Sequence, residues 1–154
     1  MMRFYIIGVG KIKETYMQQA ISDYVLRLSK YVKIDIIEVA EDNSPQAEKR
    51  IEKEGQMLLK RIPTGSVIVA LDLHGKQLAS EKLAEYISNK TVEGKSDFVF
   101  VIGGSDGISA KITSRADLRL CLSPMTFTHQ MTRLIITEQL YRAMKINNGE
   151  QYHK

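Results

Sequence analysis

Hydrophobic and polar positions follow two alternating periods along this chain. Short continuous apolar runs at residues 4–9, 34–39, 66–73, 97–102 and 118–122 are typical of strands buried on both faces. Between them, apolar residues recur three and four positions apart, which predicts helices over 11–31, 51–62, 80–92 and 129–147 and a short helical turn from about residue 108. Because parallel strands need helical crossovers, the alternation predicts an α/β sandwich with a mostly parallel sheet.

Three helices carry finer predictions. Ser80 and Thr128 precede or open helical segments, and their hydroxyls favour a role as N-caps. The spacing in the first helix predicts that one face is formed by Ile12, Tyr16, Ala20, Tyr24, Leu28 and Tyr31.

Three segments that follow strands have the character of ligand-binding loops: residues 71–75, 102–107 and 122–127. Ligands of parallel sheets bind beyond the carboxyl ends of the strands. Glycines at 103, 104 and 107 let the backbone approach an adenosine or ribose group, although a plain glycine turn fits equally well. Backbone groups of 122–127 suit an adenine edge, and a capping loop is the alternative. Residues 8–10 favour a structural turn over a phosphate site.

The last helix spreads its apolar residues widely. Arg133, Ile136, Leu140, Ala143 and Met144 share one side, while other apolar residues lie on two further flanks. A helix packed both on its own sheet and on a second copy has this pattern, so we predict a homodimer. Glu138 and Arg142 are spaced for an i, i+4 salt bridge.

Composition narrows the class of protein. The 154 residues suit a single domain over 1–154, and 44% hydrophobic with 26% charged residues indicates a globular chain. The net charge of +4 gives only weak support for a polyanionic partner. Cys121 is the single cysteine and the three histidines lack metal-ligand spacing, so we expect no disulfide and no metal. No apolar run has the length of a signal or bilayer segment, so we expect a cytoplasmic protein without a membrane.

The final residues, Gly-Glu-Gln-Tyr-His-Lys, place a phenol, an imidazole and an ammonium together. Such groups stack on bases, contact phosphate and move protons. A frayed terminus is the alternative, and composition does not separate the two.

Five short segments occur in an order that matches a known family. They are residues 6–11, the Val-Ile-Gly-Gly-Ser-x-Gly at 101–107, the run 123–133, Glu-Gln-Leu-Tyr-Arg-Ala at 138–143, and Tyr152-His153. Together they resemble the ribosomal RNA large-subunit methyltransferase H family, of the SPOUT class of RNA methyltransferases. Some relatives have proline where this chain has Thr128, but the flanking residues match.

The resemblance implies a SPOUT fold with a C-terminal trefoil knot, and a homodimer that binds S-adenosylmethionine. It implies methylation of N3 of a pseudouridine in 23S ribosomal RNA, on the assembled ribosome. The cofactor contacts carried over with it are Leu71, Ile102, Gly103, Gly104, Leu122, Ser123, Pro124, Met125, Thr126 and Phe127.

Methylation at the imide N3 requires a base or stabilisation of the developing imidate. The residues that the resemblance and this chemistry indicate as catalytic and RNA-facing are Arg133, Arg142, His129, Tyr152 and His153. No metal is required.

Two other functions fit parts of the sequence. A non-catalytic ribosome-binding factor would use the same basic surface and tail, but it has no reason to keep three cofactor-type loops. A Rossmann-type methyltransferase of small molecules is disfavoured, because its glycine loop follows the first strand and this one comes late in the chain.

Overall fold

The computed structural model describes residues 1–152 and folds them around one five-stranded sheet. The strands are β1 (Arg3–Val9), β2 (Lys33–Val39), β3 (Val67–Gln77), β4 (Asp97–Ile102) and β5 (Leu118–Cys121). The helices are α1 (Thr15–Leu28), α2 (Ala47–Lys60), α3 (Ser80–Val92), α4 (Ala110–Thr113) and α5 (His129–Asn147). The predicted α/β architecture is confirmed.

All neighbouring strands run parallel, in the order β2-β1-β4-β3-β5. In this register Leu71 lies beside Ile102, and Leu71 also pairs with Leu120. The carboxyl ends of β3, β4 and β5 therefore meet at one edge of the sheet, with the three predicted loops following them.

Successive residues of each strand enter two separate cores. Phe4 and Phe100 face the side covered by α1, α3 and α5, whereas Ile7 and Val101 face α2 and α4. All four side chains are fully buried. This two-sided burial is the reason that the strands are continuous apolar runs in the sequence.

Three elements differ from their predicted form, of which α2 begins at Ala47, four residues earlier than expected. β3 continues to Gln77 through the segment that the sequence predicts as a loop, and α1 begins at Thr15, four residues later than expected. The predicted face of α1 is partly wrong, because Tyr16 is 71% exposed while Met17 and Ile21 are buried. Ile12 precedes the helix and packs against those two residues, so the helical spacing counted from it is out of phase.

One of the two N-cap predictions is confirmed. The Thr128 hydroxyl accepts a hydrogen bond from the Met131 backbone N–H at 3.2 Å. Ser80 already lies within α3, whose N-cap is Ala79, and its hydroxyl instead donates to Gln139 Oε1 at 2.6 Å. Ser80 thus joins α3 to α5 and does not cap its own helix.

α5 packs between α1 and α3 on one face of the sheet. Its predicted apolar side is confirmed, with Ile136 and Leu140 fully buried. One flank is covered by the same chain: Tyr141 contacts Tyr24 of α1, and Leu134 packs beside Ile21. This part of the apolar spread needs no second copy to explain it, and the homodimer stays a prediction.

The sequence predicts Arg133 as an RNA-facing residue, but it is buried, with 2% of its surface exposed. Its guanidinium is paired with the Glu38 carboxylate at the end of β2 and donates to the Gly10 carbonyl at 3.1 Å. A Cβ on Gly8 would lie 2.8 Å from Arg133 Nη2, so the glycine makes room for the guanidinium. Gly10 has a φ of +84°, and the 8–10 segment is a structural turn as predicted.

We expect Glu38→Gln to lower the free energy of unfolding by about 3–5 kcal/mol, because it leaves the buried guanidinium of Arg133 without its charged partner. Urea unfolding measures the change. Lys82→Met removes an exposed pair with Glu85 and serves as the control, with an expected loss below about 1 kcal/mol. Equal stability of the two variants would contradict the structural role of Arg133.

Candidate active site

A cavity of about 770 Å³ lies at the carboxyl ends of β3, β4 and β5. This volume is within the range of about 300–1,000 Å³ found for ligand pockets. Its wall is formed by the three strand-end segments and the first turn of α5. The predicted cofactor residues that line it are Leu71, Ile102, Gly103, Gly104, Leu122, Ser123, Met125, Thr126 and Phe127.

Pro124 is the one predicted cofactor residue outside the lining; it is exposed. The loop around it is held by local hydrogen bonds. Ser123 Oγ accepts from the Met125 backbone N–H at 3.0 Å, and the Cys121 thiol donates to the Ser123 carbonyl at 3.1 Å. Pro124 thus restricts the backbone of a segment whose other residues face the cavity.

The glycine loop folds tightly on itself. Gly107 has a φ of +110°, and its N–H donates to the Gly104 carbonyl at 3.0 Å. A Cβ on Gly103 would lie 2.4 Å from the Gly107 carbonyl oxygen. Gly103 is therefore required by the loop's own backbone.

Two aspartates of the cavity wall are paired with arginines. Asp106 accepts from Arg50 Nε at 2.8 Å and from its Nη2 at 3.1 Å, and Asp72 accepts from Arg119 Nε at 2.7 Å. The Arg50 hydrogen bonds hold the pKa of Asp106 below its ordinary value. Burial alone would raise the pKa of Asp72, but the His74 amide and Arg119 together lower it. Sequence patterns did not indicate these pairs.

Glu54 of α2 supports the glycine loop from behind. Only 5% of its surface is exposed, its Oε2 accepts from the Asp42 backbone N–H at 3.0 Å, and a Cβ on Gly104 would lie 2.8 Å from its Oε1. Burial raises the pKa of this carboxyl. A buried acid within a polar helix gives no signal in the sequence, so its place beside the loop was not predicted.

β5 is paired with β3 at two separate points. Leu120 lies opposite both Leu71 and Lys76, so residues 72–75 bulge past it. A Cβ on Gly75 would lie 2.5 Å from the Arg119 carbonyl oxygen, which shows how closely the bulge passes the β5 backbone. The same overlap places the buried Leu120 in the cavity wall.

Among the predicted catalytic residues that the structure describes, His129 alone lines the cavity. Its Nε2 atom is buried and has no hydrogen-bond partner within residues 1–152. Arg142 lies thirteen residues farther along α5, roughly 20 Å at 1.5 Å per residue. His153 falls outside the described residues. A single chain therefore brings His129, but not Arg142, to the cavity.

Arg142 and Tyr152 form a second group at the far end of α5. Arg142 is paired with Glu138, as its spacing predicted, and its guanidinium lies 4.8 Å from the centre of the Tyr152 ring. The Tyr152 hydroxyl donates to Glu138 Oε1 at 3.1 Å, and its ring packs edge-on against Tyr141. Burial, with hydrogen bonds to Tyr24 and Glu138, raises the pKa of the phenol.

The segment before Tyr152 is also anchored. The Tyr31 hydroxyl donates to the Glu150 carboxylate at 3.0 Å, and Lys145 Nζ donates to it at 2.8 Å. These contacts lower the pKa of Glu150. Residues 149–152 are thus held against α5, and the frayed reading of the tail does not apply to them.

Comparison with known proteins assigns this chain to a family. A family model described as a predicted SPOUT methyltransferase matches residues 2–153. The chain belongs to the SPOUT methyltransferase family. It is 46% identical to proteins named ribosomal RNA large subunit methyltransferase H from Carboxydothermus hydrogenoformans and from Alkaliphilus oremlandii. Each alignment covers 99% of this chain and the whole of the relative.

Solved structures share the SPOUT fold at low sequence identity. The tRNA (m1G37) methyltransferase of Aquifex aeolicus has a TM-score of 0.56 at 13% identity, covering 92% of this chain and 69% of that one. A probable methylase family protein of Haemophilus influenzae has a TM-score of 0.53 at 11% identity, covering 99% and 70%. These likenesses confirm the α/β fold that the sequence predicts, and the trefoil knot stays a prediction.

Residues 1–152 contain neither a membrane-spanning helix nor a metal-binding cluster. No described helix has both the length and the apolarity needed to cross a membrane. No cluster of His, Cys, Asp and Glu side chains in that part of the chain is arranged to hold a metal ion.

We expect Gly103→Ala to destabilise the protein by about 1–3 kcal/mol, because the added methyl meets the Gly107 carbonyl and the loop must shift. Urea unfolding measures this. The control is Ser105→Ala at the exposed tip of the same loop, for which we expect a change within about 0.5 kcal/mol. A Gly103→Ala protein as stable as the parent would show that the tight fold of the loop does not require glycine there.

Proposed function

We propose that this protein uses S-adenosylmethionine to methylate N3 of a pseudouridine in 23S ribosomal RNA on the assembled ribosome. The single observation that carries the proposal is the cavity. It is built from the three strand-end segments, in a SPOUT chain 46% identical over its length to large-subunit ribosomal RNA methyltransferases. Such a protein works in the cytoplasm, where the ribosomes are.

The lining of the cavity suits S-adenosylmethionine. Leu71, Ile102 and Phe127 offer apolar surface for an adenine ring, and residues 122–127 offer backbone polar groups for its edge. The glycines at 103 and 104 let the loop fold closely on itself and on Glu54, which shapes the rim of the cavity. When bound, the cofactor supplies an electrophilic methyl group on a positively charged sulfur, so no metal is needed.

The remaining chemistry falls to side chains that handle the imide proton of the target base. His129 lies in the cavity wall and is the candidate to accept that proton; its Nε2 is buried and has no partner among residues 1–152, so the ring must turn toward the cavity to do so. An imidazole ring nitrogen can take up a proton in one step and release it in a later one. Arg142 is suited to stabilise the negative charge that develops on the base.

We propose a homodimer in which the second copy brings Arg142 and Tyr152 to the cavity. Two observations support this arrangement. Within one chain Arg142 is roughly 20 Å along α5 from His129. In addition, Leu73, Met125 and Met131 at and beside the cavity are 55%, 74% and 39% exposed, an apolar surface that a partner would cover.

We further propose that the segment after β4 is threaded as a trefoil knot. The double pairing of Leu120 with Leu71 and Lys76 supports this topology, because the 72–75 bulge passes beside β5 at backbone distance. Knots are rare in proteins. A glycine at position 75 is consistent with two chain segments crossing where no side chain fits.

The central test is methyl transfer to ribosomes from cells that lack this protein. We expect the purified protein to move labelled methyl from S-adenosylmethionine to 23S RNA in intact ribosomes, and mass spectrometry of the digested RNA to find methylated pseudouridine. A protein that binds ribosomes but transfers no methyl and binds no S-adenosylmethionine in calorimetry would instead support the ribosome-binding factor. Methylation at another nucleotide would overturn the proposed position.

Removing residues 152–154 should reduce methyl transfer at least about a hundredfold, because groups that position the base are lost. Affinity for S-adenosylmethionine should stay within about twofold, since the tail lies outside the cavity lining of one chain. Rates on ribosomes and calorimetry measure the two effects. Tyr16→Ala, at an exposed site on α1, is the control with both quantities unchanged. Full activity of the truncated protein would remove the tail from the mechanism.

A further inference from the structure

The cavity wall has a charge opposite to that of the whole chain. Of the residues that line it, Asp72 and Asp106 are acidic, His74 and His129 are the other ionisable groups, and none is lysine or arginine. The complete sequence has a net charge of +4. A cavity in a basic protein that excludes every lysine and arginine has a local potential set by its two carboxylates.

Each carboxylate is held in place by contacts from outside the cavity. Arg50 donates to Asp106 from its Nε and Nη2 atoms. Its Nη1 donates to the Ser44 carbonyl at 2.8 Å and to the Pro45 carbonyl at 3.0 Å. On the other side, Arg119 pairs with Asp72, which also accepts the His74 N–H at 3.0 Å. Neither arginine lines the cavity, so the aspartate is the member of each pair that stands in its wall.

These contacts also keep the carboxylates ionised at neutral pH. The Arg50 hydrogen bonds lower the pKa of Asp106, and for Asp72 the His74 amide and Arg119 outweigh the opposing effect of burial. The arginines fix the carboxylates, and because only the aspartates stand in the cavity wall, the arginines cancel only part of their field there.

We infer that Asp72 and Asp106 are specificity-determining residues that make the cavity prefer the positively charged sulfonium cofactor to its neutral thioether product. The inference rests on the proposed function, since it concerns the ligand proposed for the same cavity. Loss of the methyl group removes the positive charge on sulfur. The attraction from the two carboxylates therefore falls when the product forms, which favours its exchange for fresh cofactor.

Calorimetry with three ligands tests the inference without any methyl transfer. S-adenosylmethionine and sinefungin carry a cationic group at the reacting position, whereas S-adenosylhomocysteine does not. In Asp72→Asn and Asp106→Asn we expect affinity for the two cationic ligands to fall about threefold to tenfold, as for one partly neutralised charge at cavity distance. Affinity for S-adenosylhomocysteine should stay within about twofold.

The matched control is Glu52→Gln, which removes one negative charge from the same helix as Arg50 but breaks only an exposed contact with Lys111. It should leave all three affinities unchanged. A second measurement needs no substitution: raising the salt concentration of the wild-type protein should weaken S-adenosylmethionine more than S-adenosylhomocysteine.

The outcomes separate the two proposals. If the wild type binds none of the three ligands, the proposed function fails and this inference fails with it. If the wild type binds S-adenosylmethionine but each aspartate variant loses all three ligands equally, the aspartates only shape the loops, and the inference alone is overturned. Unchanged affinities in both variants, with unchanged melting temperatures, also overturn it.

Discussion

The buried guanidinium of Arg133 constrains the arrangement of α5 on the sheet. Taking a charge out of water costs several kcal/mol, so the guanidinium must meet Glu38 and the Gly10 carbonyl wherever α5 lies. That requirement explains why Gly8 has no side chain, and it fixes the first turns of α5 against the ends of β1 and β2. The position of His129 in the cavity wall follows from it, one turn earlier in the helix.

With α5 in this position, the shape of the cavity is set largely by the backbone of the three segments that form its wall. The glycine loop turns back on itself, the 122–127 segment is held by Ser123, and the 72–75 bulge passes β5 closely. Side chains then add charge and shape at a few points. Asp72 and Asp106 are oriented by Arg119 and Arg50, which do not line the cavity. The electrostatic potential in the cavity therefore depends on residues outside its lining.

The sequence predicts much of this molecule where a local pattern carries the information. Strands such as β4 are continuous apolar runs because both faces are buried, and the three cavity loops follow directly from strand ends in a parallel sheet. Long-range pairing leaves no such pattern. Asp72 and Arg119 are 47 positions apart and Arg50 and Asp106 are 56. Arg133 shares the buried side of α5 with Ile136 and Leu140, as its spacing predicted, but the Glu38 carboxylate and the Gly10 carbonyl that hold its guanidinium lie far away in the sequence.

The order of strands in the sheet has a consequence for biosynthesis. β4 is the central strand, with β1 and β3 on its two sides, yet it is translated after both. Until β4 leaves the ribosome, the apolar edges of β1 and β3 lack their common neighbour, and exposed strand edges favour aggregation. The nineteen residues between β3 and β4 take about one to four seconds to translate. During that interval the nascent chain is a natural client for a chaperone that shields extended apolar segments.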